Sequence, residues 1–168
     1  MAATIQIHEM TALAAGTDKT SGTIRMKAAD NQTVDANDPL VIPSGADIYS
    51  YTKQVRPYME APPSTNVSNL RWYMDGSNDF GTGVTMQVKN EGTTWSANIN
   101  TQLGGTTDLF AATSGSPLDG DGTDTGPFVP GDDDSYIGDL IKFQMTVAST
   151  ASNGALSGED LTLAYDEI

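Results

Sequence analysis

Apolar and polar residues alternate strictly along seven short stretches of this chain. Ile5 and Ile7 alternate with Gln6 and His8, and Ile24 and Met26 with Arg25 and Lys27. Tyr49, Tyr51 and Val55 alternate with Ser50, Thr52, Gln54 and Arg56; Leu70, Trp72 and Met74 with Asn69, Arg71 and Tyr73. Val84, Met86 and Val88 oppose Thr85, Gln87 and Lys89. Near the end, Ile141, Phe143, Met145 and Val147 oppose Lys142, Gln144 and Thr146, and Leu161, Leu163 and Tyr165 oppose Thr162 and Ala164. A period of two places one set of side chains on a buried face and the other on a wet face, the pattern of antiparallel sheets packed face to face. No amphipathic helix of useful length competes with it.

Turn signals divide the stretches: Asp75-Gly76, Asn90-Glu-Gly92 and Ser152-Asn-Gly154. Prolines 39, 43, 57, 62 and 63 mark places where strands end, bend or lie on an edge. The expected fold is all-β: a single domain over 1–168, two antiparallel sheets of about four strands each in a jelly-roll-like sandwich, with an Ig-like sandwich as the alternative. Between Gly104 and Gly138 the alternation stops and Gly, Asp, Thr, Ser and Pro take over, so 104–138 reads as one long acidic loop. Residues 1–20 read as an N-terminal arm.

Composition changes the picture mainly through charge. The 168 residues carry a net charge of −14. Up to Asn100 there are 10 acids against 7 bases, and beyond it 12 acids against 1 base, so the acidity belongs to the C-terminal part. Such a surface repels phosphate backbones and anionic lipids, which argues against nucleic-acid and membrane partners. With no cysteine, disulfides, thiolate metal sites and cysteine nucleophiles are excluded. The opening residues show neither a basic nor an apolar signal region, and an origin in the cytosol is expected.

Catalytic chemistry finds little material. His8 is the only histidine, no G-x-S-x-G motif is present, and a histidine on the wet face of a strand is the simplest account of it. No enzymatic activity is expected. Asp119-Gly-Asp-Gly-Thr-Asp124 is the best metal candidate, because Asp119, Asp121 and Asp124 on a glycine-rich backbone suit a hard cation such as calcium. The twelfth position of a loop begun at Asp119 is Pro130, so this is not an EF-hand, and Asp and Gly also make ordinary solvated turns. Apart from calcium, no cofactor is expected. Tyr49, Tyr51, Tyr58, Trp72, Tyr73 and Trp95 suggest a platform for sugar rings, although the alternation assigns Tyr49, Tyr51 and Trp72 to the core and leaves Tyr73 and Trp95 as surface candidates.

The middle third, from about Ala46 to Val88, resembles a family of tailed-bacteriophage virion proteins. The resemblance is carried by Tyr49-Ser-Tyr-Thr-Lys53 with Arg56, by Val67-Ser-Asn-Leu-Arg-Trp-Tyr-Met-Asp-Gly76, and by Phe80-Gly-Thr-Gly-Val84. It implies a β-sandwich of the capsid decoration, or cement, type. Such a protein is assembled in the host cytoplasm, sits as a homotrimer on the head, and contacts the major capsid protein and copies of itself. Contact residues are then expected from the N-terminal segment and the acidic loop: Ile5, Ile7, Leu109, Phe110, Phe128 and Tyr136. A carbohydrate-binding or adhesin-like module and a tail tube or head–tail connector protein are the alternatives.

Overall fold

The computed structural model describes residues 2–153 and 157–168. Alternation becomes strand pairing in six of the seven stretches. In chain order the strands are β1 (Thr4–Ala12), β2 (Ala15–Asp18), β3 (Ile48–Tyr49), β4 (Lys53–Ala61), β5 (Val67–Tyr73) and β6 (Val84–Gly92). They continue with β7 (Thr107–Asp108), β8 (Leu118–Asp119), β9 (Ser135–Tyr136), β10 (Leu140–Val147) and β11 (Thr162–Glu167). Every pairing is antiparallel. The large sheet runs β2-β1-β4-β10-β6-β7, with β3 added to β10 and β9 to β4; the small one runs β11-β5-β8. The fold is therefore an all-β antiparallel sandwich, but an unequal one of eight and three strands rather than four and four.

The core lies between the sheets. Val55, Val84, Met86, Val88, Ile141, Phe143, Met145 and Val147 from the large sheet meet Trp72 and Met74, while Met59 and Ile137 meet Val67, Leu70 and Phe128 in a second cluster. Residues 67 and 70 would fall on opposite faces of a regular strand. Asn69 restores the parity: its φ of 57° is a left-handed conformation that Asn tolerates better than most residues, and the β5–β11 register shifts beside it.

Three expectations are corrected. Ile24–Lys27 forms no strand; Ile24 and Met26 pack on the core, while the Lys27 carbonyl accepts one hydrogen bond from the Tyr51 N–H. Asn90-Glu-Gly92 is not a turn, since β6 continues through Gly92, whose φ of 60° makes a bulge opposite Leu140. Of the segment 1–20, expected to project as an arm, residues 4–18 form the β1–β2 hairpin, and β1 is hydrogen-bonded to β4 within the large sheet. Gly154, and with it the end of the Ser152-Asn-Gly154 turn, lies outside the described residues.

The polar face of the large sheet is covered over β4 and β10, although Thr85 on β6 is exposed. Lys142 sits beside Gln54 and Lys89, and Gln144 beside Gln87, in one polar layer. Segment 93–103 folds over that layer and is fastened by the side chains beneath it. Gln54 Nε2 donates to the Ser96 carbonyl (2.8 Å), Lys142 Nζ to Ser96 Oγ (2.7 Å) and the Ala97 carbonyl (2.8 Å), and Gln144 Nε2 to the Thr101 carbonyl (3.0 Å). Gln144 Oε1 in turn accepts from the Leu103 N–H (2.8 Å). Burial lowers the pKa of Lys142, Glu91 opposes that shift and Lys89 adds to it.

Candidate functional site

Three groups of side chains gather chemistry outside the apolar core. In the first, the acidic loop is not free. Asp139 at the entrance to β10 is fully buried, and its carboxylate accepts from the N–H of Thr123 (3.0 Å) and Asp124 (2.9 Å) and from Asn90 Nδ2 (2.9 Å). Arg56 on β4 donates through Nε to the Gly138 carbonyl (2.9 Å) and through Nη2 to Asp124 Oδ2 (2.9 Å). The loop also meets β5 at close range. A Cβ on Gly138, whose φ is +63°, would lie 2.4 Å from Leu70 Cδ1 and 2.7 Å from the Gly120 carbonyl oxygen.

One oxygen of each carboxylate expected to hold calcium has a partner within the chain. Asp119 Oδ1 accepts from the Asp121 N–H (3.0 Å), Asp121 Oδ2 from the Leu70 N–H (3.2 Å), and Asp124 pairs with Arg56. Among the described residues no group of three or more His, Asp or Glu side chains is arranged to hold a metal. Burial raises the pKa of Asp121, against the Leu70 N–H, which lowers it, and with the neighbouring Asp119 carboxyl, which raises it further. Asp119, Asp121 and Asp124 hold backbone and a guanidinium in place.

The second group surrounds His8. The imidazole stacks on Tyr58 at 4.5 Å with an interplanar angle of 11°, and Tyr136 stands edge-on to both rings. Nε2 lies 2.8 Å from Gln6 Oε1 and Nδ1 lies 3.2 Å from the Tyr136 hydroxyl. Gly16 on β2 closes the cluster: a Cβ there would come within 2.9 Å of Met10 Sδ, the Tyr136 hydroxyl and His8 Cβ. His8 is buried, not wet as expected. Burial lowers its pKa, and the carboxylates of Asp18 and Glu60 raise it by less.

The third is a cleft of 360 Å³ lined by Glu9, Asp30, Asn31, Gln32, Lys53 and Trp95, among others. Its inner wall is an ion pair between Glu9 and Lys53, 3.0 Å apart, each side chain 2% exposed. Lys53 also donates to the Asn31 carbonyl and so ties segment 27–35 to the sheet. Trp95 arrives from the segment covering the polar layer, and its indole N–H is buried without an acceptor.

The residues expected at an interface have other surroundings. Leu109 and Phe110 are buried in the first core cluster, with Phe110 edge-on to Phe80 at 6.1 Å, and Phe128 is buried in the second. All three pack into the chain's own core and leave little apolar surface for a partner. Ile5 and Ile7 are half-buried at the core margins, and Tyr136 belongs to the His8 cluster. Of the aromatics expected to form a platform, Trp72 is fully buried and Tyr58 is stacked on His8. Tyr49 and Tyr51, assigned to the core, are half-buried outside both clusters while Ser50 and Thr52 between and beside them are fully buried, and Trp95 lines the separate cleft. Asp139 and Glu9, which organise these regions, were not singled out by sequence, and Lys53 was named only within the Tyr49–Lys53 motif. The one signal was a charge placed inside or beside an apolar run.

Comparison with known protein families, with curated proteins and with solved structures gives no match.

Proposed function

We propose that this chain is a non-catalytic virion structural protein, a decoration protein that binds the outside of an assembled bacteriophage head. In this reading it is put together in the host cytoplasm, contacts the major capsid protein, and meets copies of itself as a homotrimer.

The observation that supports the reading is where the positive charges go. Lys27, Lys53, Arg56 and Lys142 are all buried; Lys53, Arg56 and Lys142 each fasten an irregular segment to the sandwich, and Lys27 holds segment 31–35 together from within. Lys19, Arg71 and Lys89 pair with Glu9, Asp166 and Glu91. Among the described residues Arg25 is the one exposed base without an ion pair. The outer surface is thus more uniformly acidic than the composition suggests, on a body whose connections are tied down. A covering subunit needs a fixed outline, solubility at high local concentration and a surface that avoids nucleic acid; this combination meets all three.

The test is co-sedimentation of the purified chain with phage heads that lack it. Saturable binding at a fixed ratio to the major capsid protein, weakened by salt, is expected. Failure to sediment with heads at any ionic strength would overturn the reading, and association with tails instead would make the chain a tail tube or connector component.

A further inference from the structure

The cleft beside Glu9 and Lys53 has the construction of a ligand site. Asp30 and Asn31 stand at its rim, and each is held by one end of its side chain while the other end is left open. Asp30 Oδ1 accepts from Asn98 Nδ2 (2.8 Å), and Asn31 Oδ1 accepts from Lys27 Nζ (3.1 Å) and the Thr33 N–H (3.1 Å). Asp30 Oδ2 and Asn31 Nδ2 make no hydrogen bond among the described residues. An acceptor and a donor on adjacent residues, each fixed at its other end, thus line the same cleft as Trp95.

We propose that this cleft binds one neutral pyranose ring, with an apolar sugar face on Trp95 and neighbouring hydroxyls on Asp30 Oδ2 and Asn31 Nδ2. The chemistry selects that class in three ways. A sugar ring has an apolar C–H face that suits an aromatic side chain, and vicinal hydroxyls that both donate and accept. The Glu9–Lys53 pair cancels within the wall, leaving Asp30 as the net charge of the lining, which disfavours phosphates, sulfates and uronates. The volume of 360 Å³ falls at the small end of the roughly 300–1,000 Å³ range of ligand sites.

This inference does not rest on the assembly role, because the cleft is built within one copy of the chain. The experiment is nitrogen–proton correlation NMR of the full chain titrated with methyl α-glucopyranoside, methyl β-galactopyranoside and N-acetylglucosamine. At least one should give saturable shifts at the Trp95 indole and the Asn31 side-chain amide, with a dissociation constant on the order of 1 mM. The indole of Trp72, sealed in the core, should stay still. Asp30 is exposed, so Asp30→Ala tests the site without touching the core and should weaken binding roughly tenfold. Trp95→Ala should abolish binding, with Trp95→Phe recovering part of it. The proposal is overturned if none of the sugars gives saturable shifts up to about 100 mM. It is overturned equally if the shifts map elsewhere, or if Asp30→Ala binds as well as the parent chain.

Discussion

Replacing Asp139 with alanine removes the acceptor on which three donors converge, the N–H groups of Thr123 and Asp124 and the side-chain amide of Asn90. Hydrogen bonds to a charged group contribute about 1.5–3 kcal/mol each, so the gross loss is on the order of 4–9 kcal/mol. The net loss is smaller, because Thr123 is exposed and Asp124 half-exposed, and both amides can regain water as the loop lifts. We expect a destabilisation of about 3–5 kcal/mol, read as a fall in Tm of roughly 10 °C for a chain of this size. Asp139→Asn keeps the shape and one acceptor oxygen, and should cost about 1–2 kcal/mol. Hydrogen exchange localises the effect: amides 119–125 should exchange faster in Asp139→Ala, while those of β10 paired to β6 stay protected. A loss below about 1 kcal/mol, or exchange accelerated equally along β10, would refute the idea that this carboxylate is the fastener of the loop.

Four further outcomes follow from the same geometry. Lys53→Met strands the buried Glu9 carboxylate with only Lys19 at 3.8 Å, and should cost about 3 kcal/mol in a denaturant melt; adding Glu9→Gln should recover most of it, and additive losses would deny the coupling. Gly138→Ala combines a left-handed φ with a contact on the Gly120 carbonyl, and should destabilise by about 2–4 kcal/mol. His8 has a folded pKa below its unfolded value of 6.5, so the unfolded state binds more protons between the two. Stability should therefore fall as pH drops from 6.5 towards the folded pKa; His8→Gln should flatten that part of the Tm profile, and an unchanged slope would clear His8 of the effect. Because Asp119, Asp121 and Asp124 already hold internal partners, adding a chelator should leave Tm unchanged, and a fall would reveal a cation that these carboxylates bind.

How far the sequence could be read depended on what a period of two reports. It tells which side chains point the same way, and so it located β1, β4, β5, β6, β10 and β11 and the core residues between the sheets. It does not tell what covers the other side. Lys142 and Gln144 read as solvated and are instead the anchors for segment 93–103, because their amine and amide satisfy carbonyls that have no strand partner. Ile24–Lys27 alternates for the same reason a strand does, one side packed and one not, yet no neighbouring strand is in place to pair with it. Of the candidate sites, the acidic run was visible but its role was not. Asp139, Arg56 and Gly138 lie 15 to 68 residues from Asp124 or adjoin such a residue, and nothing local in sequence joins them.

The inward placement of the basic residues also sets where the folded chain can be cut. Trypsin needs a lysine or arginine in a segment that can be drawn out into its cleft. Lys53, Arg56, Arg71, Lys89 and Lys142 lie in paired strands, Lys27 is sealed under its own loop, and Lys19, just past β2, is held to β1 by its N–H on the Ile7 carbonyl and by its ion pair with the buried Glu9. Arg25, exposed in an irregular stretch, is the position left for the enzyme. A cut there would sever residues 1–25 from the rest without releasing them, because β1 remains hydrogen-bonded along β4. The product would be a nicked protein that keeps its shape and comes apart only on unfolding.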